Sequence, residues 1–176
     1  AARKTAFQNV VNASYGTVTL LKATENSINT PYVELGLTVG TENVKRAAIR
    51  AGVPKDTTGL LADPTTVLGT SSPTALDMAN AYATFAARGE HADPAMIKEV
   101  KTPDKQVDFT FTPTTTRAFP QDVMDNLNFA LQQVVNVGTG TTAQGLGRPS
   151  AGKTGTTDDN MSAWYVGYTP QLATAV

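Results

Sequence analysis

The order of its periodicities constrains this chain most. Helical spacing dominates the first part, and residues 150–176 then switch to strand-like runs separated by short turns. Ser150–Thr157 and Ala163–Tyr168 each suit a strand, and Leu172–Val176 begins a third. Strands joined this closely pair antiparallel, because a parallel pair needs a long crossover. The expected fold is therefore α/β of the α+β type, an antiparallel sheet flanked by helices. The 176 residues contain no internal repeat and no linker long enough to separate two domains.

The helical part divides at its glycines and prolines. Val18–Glu25 reads as a short helix with Thr19 as N-cap. Asn26–Thr30 interrupts it, and Pro31 fits the first turn of a second helix running to about Thr38 and stopping at Gly40. Thr41 is expected to cap a third helix, with Val44, Ala47, Ala48 and Ala51 at helical spacing and Gly52 at its end. Residues 54–74 read as an ordered loop. Leu76, Ala79, Tyr82, Ala83 and Ala86 define the apolar face of a further helix, closed by Gly89. Met96–Val100 and Val107–Phe111 form a candidate hairpin. Pro120 opens a last helix with Val123, Leu127, Ala130, Leu131 and Val134 as its stripe.

Composition removes several function classes. Hydrophobic residues make up 40% and charged residues 16%, a globular balance. With no cysteine, neither disulfides nor thiol chemistry is available, and a single histidine leaves no material for a histidine triad or a histidine-rich metal site. His91, in Gly89-Glu90-His91-Ala92-Asp93, reads as a surface loop residue. A net charge of −1 without basic runs gives no nucleic-acid footprint. No cofactor is implied. Gly138-Thr139-Gly140-Thr141-Thr142-Ala143 matches a G-x-G-x-x-A fingerprint, but that motif needs a strand before it and a helix after it. Here a helix precedes and a glycine-rich loop follows, so the segment reads as a turn into the next strand.

Lys153-Thr154-Gly155-Thr156-Thr157 is the sharpest local feature. Alternation along a strand places Lys153 and Gly155 on one side and Thr154 and Thr156 on the other, unless twist or an edge position lets them share a cleft. An edge strand offers free N–H groups to a peptide or an oxyanion, and glycine lets a ligand approach the backbone. A lysine cation and hydroxyls suit a carboxylate. Alone, the triplet equally fits a surface strand with a solvated lysine. Ser27-Ile28-Asn29, between two short helices, can present a hydroxyl and an amide from one loop. Alone, it fits helix capping better than chemistry, since both residues cap well.

Together the two motifs carry more. S-x-N followed by K-T-G, more than a hundred residues on, is the order found in penicillin-binding proteins. Gly16-Thr17-Val18-Thr19-Leu20, Leu68-Gly69-Thr70, Ser72-Pro73 and Met78–Ala86 resemble the bifunctional, class A members. So do Gly138–Thr141, Ala151–Thr157 and Ala163–Pro170. The resemblance covers essentially the whole chain.

That resemblance implies the serine β-lactamase and penicillin-binding transpeptidase fold, a mostly antiparallel sheet between helices beside an all-helical lobe. It implies a D,D-transpeptidase that cross-links peptidoglycan through a serine acyl-enzyme, acting on D-alanyl-D-alanine stem peptides and acylated by β-lactams. Ser27 would relay protons, Asn29 would hold the substrate amide, and Lys153 would hydrogen-bond Ser27 and set a positive field. Thr154 and Thr156 would receive the carboxylate. The Thr156 N–H would be one arm of the oxyanion hole, a contact worth roughly 3 kcal/mol in other acyl-transfer enzymes. Gly155 would leave room for the substrate. The class also implies the extracytoplasmic face of a bacterial membrane and an upstream glycosyltransferase domain.

One departure is large. The family nucleophile lies in an S-x-x-K motif upstream of S-x-N, and the 26 residues before Ser27 contain none. Ser150-Ala151-Gly152-Lys153 matches by letter, but on a strand its ends are about 10 Å apart rather than one helical turn. Residues 1–176 are thus expected to be one incomplete transpeptidase domain lacking the S-x-x-K segment and a final strand and helix, with a companion fragment supplying the serine. Alternatives are a β-lactamase-like hydrolase, for which Glu90 and Glu99 sit in no recognisable motif, and a non-catalytic β-lactam sensor. Trp164, Tyr165 and Tyr168 are expected to pack the sheet.

Overall fold

The computed structural model describes residues 7–9, 13–104, 106–157 and 162–176. Three short helices come first: α1 (Leu20–Glu25), α2 (Asn29–Val39) and α3 (Thr41–Ala51). A 3-10 turn follows at Pro64–Leu68, then α4 (Ala75–Ala86). Four short strands, β1 (Glu90–Ala92), β2 (Glu99–Lys101), β3 (Val107–Thr110) and β4 (Thr115–Arg117), lead to α5 (Gln121–Asn136). A second 3-10 turn at Thr141–Leu146 precedes β5 (Ala151–Thr156), β6 (Ala163–Thr169) and β7 (Leu172–Ala175). These last strands form one antiparallel sheet in the order β5-β6-β7, as the closing run of strand patterns predicts.

Local chemistry explains the helix ends. Thr19 caps α1 by accepting the Lys22 N–H at 3.2 Å. Thr74 and Asp77 form a reciprocal capping box at the start of α4. Thr41, expected to be a cap, is instead the first residue of α3. The cap position belongs to Gly40, whose φ of 90° a β-carbon would disfavour.

Helix α4 is the spine of the core. Ala81, Ala51, Val53 and Leu60 are buried together on one side. Tyr82 and Phe85 pack against that cluster and also against Leu131, Ala151 and Tyr168, which tie α5 to the sheet. The Tyr168 hydroxyl donates to Asn128 Oδ1 on α5 at 2.5 Å. The buried face of α4 is rotated from the predicted one: Leu76 is 57% exposed and Thr84 is sealed. On α5, Met124 is buried where Val123 was expected. Both stripes lie between packing partners that sequence spacing does not locate.

The candidate hairpin forms, shortened to β2 and β3, with Val100 opposite Phe109 on the surface. Residues 89–93 do not form a polar loop. Glu90–Ala92 pairs with Thr115–Arg117, and the His91 side chain is only 18% exposed. Thr84 Oγ1 donates to the Ala51 carbonyl at 2.8 Å and lies 2.9 Å from His91 Nδ1. His91 is therefore a structural joint between α3, α4 and β1 rather than a surface residue. No helix among the described residues is long and apolar enough to cross a membrane.

Candidate active site

The site forms where the turn between α1 and α2 meets the outer edge of β5. At the end of α1 the Ser27 N–H bonds the Thr24 carbonyl at 3.3 Å and the Ile28 N–H bonds the Ala23 carbonyl at 2.9 Å. This tight exit holds Ser27 at a φ of 54°, a left-handed conformation that L-residues other than glycine seldom adopt. Ile28 is 2% exposed and anchors the turn from below. The capping reading of S-x-N does not hold. Ile28 occupies the cap position of α2 without a side-chain cap bond, and Asn29 Nδ2 donates instead to the Gln8 carbonyl at 3.1 Å.

Strand β5 aims its polar groups by register. Thr157 bonds through its N–H to the Ser162 carbonyl, so residues 157, 155 and 153 turn their backbone groups toward β6. The parity is the same one strand on, where Tyr165 exchanges both bonds with Val176. Thr154 and Thr156 therefore present N–H and C=O at the free edge of β5. No described strand pairs with that edge.

Lys153 ties the two motifs together. Its Nζ donates to Ser27 Oγ at 2.7 Å across 126 residues of sequence, and to the Thr154 carbonyl at 2.8 Å. No carboxylate among the described residues pairs with it, and burial pulls its ammonium from 10.5 to about 8. A buried lysine poised near neutral pH beside a hydroxyl can move a proton. Nζ makes no bond to Ser150, whose Oγ is buried without a partner.

The threonines complete the edge. Thr154 Oγ1 lies 2.6 Å from Thr139 Oγ1, and the Thr139 N–H donates to the Glu25 carbonyl at 3.0 Å. A β-carbon on Gly138 would sit 2.3 Å from that same carbonyl oxygen, so only glycine lets α1 close on this loop. The Gly138–Thr141 segment is thus more than a turn: it splices the end of α1 to β5. Its glycines signal a close approach, but the sequence does not name the element approached. Thr156 is exposed at the edge, and a β-carbon on Gly155 would meet only Trp164 Cβ, at 3.5 Å. Among the described residues no group of three His, Cys, Asp or Glu converges to hold a metal.

The structure thus brings Ser27, Lys153 and Thr154 into one cluster. Asn29 follows Ser27 by two residues, at the first turn of α2, with its side chain bonded to the Gln8 carbonyl, and Gly155 and Thr156 continue the β5 edge. Sequence reasoning missed Thr139 and the backbone of Gln8.

Comparison with known proteins bears on the family and the fold. The penicillin binding protein transpeptidase domain matches residues 3–176. The chain is 37% identical over 188 residues to penicillin-binding protein 1A of Mycolicibacterium smegmatis, covering 96% of this chain and 24% of that protein. Its backbone superposes on the penicillin-binding protein PonA1 from Mycobacterium tuberculosis with a TM-score of 0.87 at 33% identity, covering 99% of this chain and 51% of the other. A second structure of PonA1, in complex with penicillin V, matches with a TM-score of 0.81 at the same identity. The chain therefore spans about a quarter of the curated relative and half of the solved chain.

Proposed function

This chain belongs to the penicillin-binding protein transpeptidase family, and on that premise we propose that it supplies the S-x-N and K-T-G side of a peptidoglycan D,D-transpeptidase site that β-lactams also acylate. The observation that carries the reading is the 2.7 Å bond from Lys153 Nζ to Ser27 Oγ. The most distant motifs of the chain converge on one proton-transfer pair.

The roles are those the family resemblance implies, and the placement of Ser27, Lys153 and Thr154 supports them. An activated serine attacks the D-alanyl carbonyl, and the carbonyl oxygen becomes an oxyanion. The Thr156 N–H, free at the β5 edge, donates to that oxyanion. Ser27 passes a proton to the departing D-alanine amine and later accepts one from the incoming amine. Lys153 holds Ser27 in line and places positive charge beside the substrate carboxylate, which Thr154 and Thr156 receive through their hydroxyls. Asn29 holds the substrate amide. Gly155 keeps the edge open, since among the described residues nothing packed against it demands glycine there.

The nucleophile is not among these residues. The only S-x-x-K in the sequence is Ser150–Lys153, and it runs into β5 instead of spanning a helical turn. The reading therefore assigns the acylated serine, with its lysine one helical turn on, to a segment outside residues 1–176. It treats this chain as part of one transpeptidase domain on the extracytoplasmic side of a bacterial membrane. Fluorescent penicillin tests this directly. A longer polypeptide that includes an S-x-x-K segment should be labelled stoichiometrically and residues 1–176 alone should not. Labelling of residues 1–176 alone, or failure to label the longer polypeptide, would sink the assignment.

A further inference from the structure

Asn9 lies outside every motif that the sequence singles out, yet it holds the first turn of α2. The cap residue of that helix, Ile28, offers no side-chain acceptor. Asn9 Oδ1 supplies one from outside, accepting the Thr30 N–H at 3.0 Å and the Thr30 hydroxyl at 3.2 Å. Its own Nδ2 donates to the Ala13 carbonyl at 3.0 Å, so both ends of the amide are committed. One residue earlier, the Gln8 carbonyl accepts from Asn29 Nδ2 at 3.1 Å.

This last bond fixes an orientation. A carboxamide carries two N–H donors and one carbonyl oxygen, and its terminal torsion is soft. With one N–H held by Gln8, the ring of choices closes. Asn29 is left with one N–H and Oδ1, the complement of a substrate amide. The Gln8 carbonyl stays in place because Asn9 binds its neighbouring backbone to Thr30.

We propose that Asn9 is a positioning residue for the S-x-N loop, holding the segment Phe7–Asn9 against α2 so that the Gln8 carbonyl orients the Asn29 carboxamide toward the amide of the acyl donor. The proposal rests on the transpeptidase reading above. It acts on recognition of the donor's amide and leaves the Lys153–Ser27 pair untouched. Its signature is therefore selectivity rather than a general loss.

The test uses the full-length protein and two probes. Benzylpenicillin carries a side-chain amide, and 6-aminopenicillanic acid has the same bicyclic ring without one. Acylation rates are read by competition with a fluorescent penicillin. Asn9→Ala should slow benzylpenicillin by about tenfold, the scale of a small misplacement in a site, and leave 6-aminopenicillanic acid unchanged. Asn9→Asp keeps both acceptor bonds to Thr30 but gives up the donor to the Ala13 carbonyl, so it should recover part of the benzylpenicillin rate. Thr30→Val removes one of those two bonds and should show the same selectivity at smaller amplitude, so the outcome is decided even if Asn9→Ala fails to fold. Equal losses for both probes, or none in either, overturn the proposal. Wild-type protein that neither probe acylates would instead overturn the transpeptidase reading itself.

Discussion

At the start of β5, Ala151 and Gly152 are sealed into the molecule, whereas at its far end Gly155 is half-buried and Thr156 exposed. The two glycines are three residues apart on one strand, and they are glycine for different reasons. A β-carbon on Gly152 would lie 2.6 Å from the Tyr165 hydroxyl and 2.8 Å from the Val166 carbonyl oxygen. On Gly155 it would make only an ordinary contact, with Trp164 Cβ at 3.5 Å. Packing against β6 demands the first glycine. Among the described residues no packing demands the second, which the proposed function leaves for the substrate. The strand changes from scaffold to site at Lys153, which is packed by the fold and bonded into the cleft.

Lys153→Ala removes that hinge between the two halves and carries the largest expected effect. In the full-length protein, acylation by fluorescent penicillin should fall by about 10²–10⁴-fold, the usual contribution of a positioned proton-transfer group. Its circular dichroism should not change. An undiminished rate would take Lys153 out of the chemistry.

The glycines sharpen the contrast next. Gly152→Ala should destabilise the fold by about 1–3 kcal/mol, as overpacking does, read from a denaturant titration. Gly155→Ala should leave the denaturation midpoint close to wild type and lower the acylation rate. If the two variants exchange these phenotypes, the division of the strand is wrong.

Ser27 allows a finer separation of backbone from side chain. Ser27→Gly and Ser27→Ala both lose the hydroxyl and should lose acylation equally. Glycine relieves the left-handed φ, so Ser27→Gly should be more stable than Ser27→Ala by about 1 kcal/mol. A Ser27→Gly protein that keeps its rate would show that the hydroxyl relays nothing.

The smallest effect is a dependence on pH. Burial lowers Lys153 to about 8 from 10.5, so between these values the unfolded chain binds more protons than the folded one. Stability should therefore rise as pH climbs through that window, and the penalty is fully present below about pH 8. Lys153→Met should flatten this slope in denaturant titrations. An unchanged slope would mean that burial does not perturb the lysine.

Much of the scaffold was legible in advance. The three closing strands, the cap at Thr19 and the stops at Gly40 and Gly52 follow from residue type and spacing, because each depends on atoms close in sequence. The faces of α4 and α5 were less legible. Leu76 and Val123 fit a helical stripe but remain exposed, while Thr84 and Met124 are buried, because the neighbours of a helix decide which of its sides is covered. His91 shows the same limit: a polar setting in sequence became a half-buried joint once β1 paired with β4.

The sequence alone determined which residue types the site could use. Without cysteine and with one histidine, the chemistry had to rest on serine, lysine and threonine, and the order of S-x-N and K-T-G named the family they resemble. The tertiary structure decided what those residues do to one another. It brought Lys153 within 2.7 Å of Ser27, turned the backbone of Thr154 and Thr156 to a free edge, gave Thr139 a place in the site that its motif did not name, and recruited Gln8 and Asn9, which no motif marks. Hydrogen bonds between segments far apart in sequence leave no periodicity behind. They exist only when packing closes the distance.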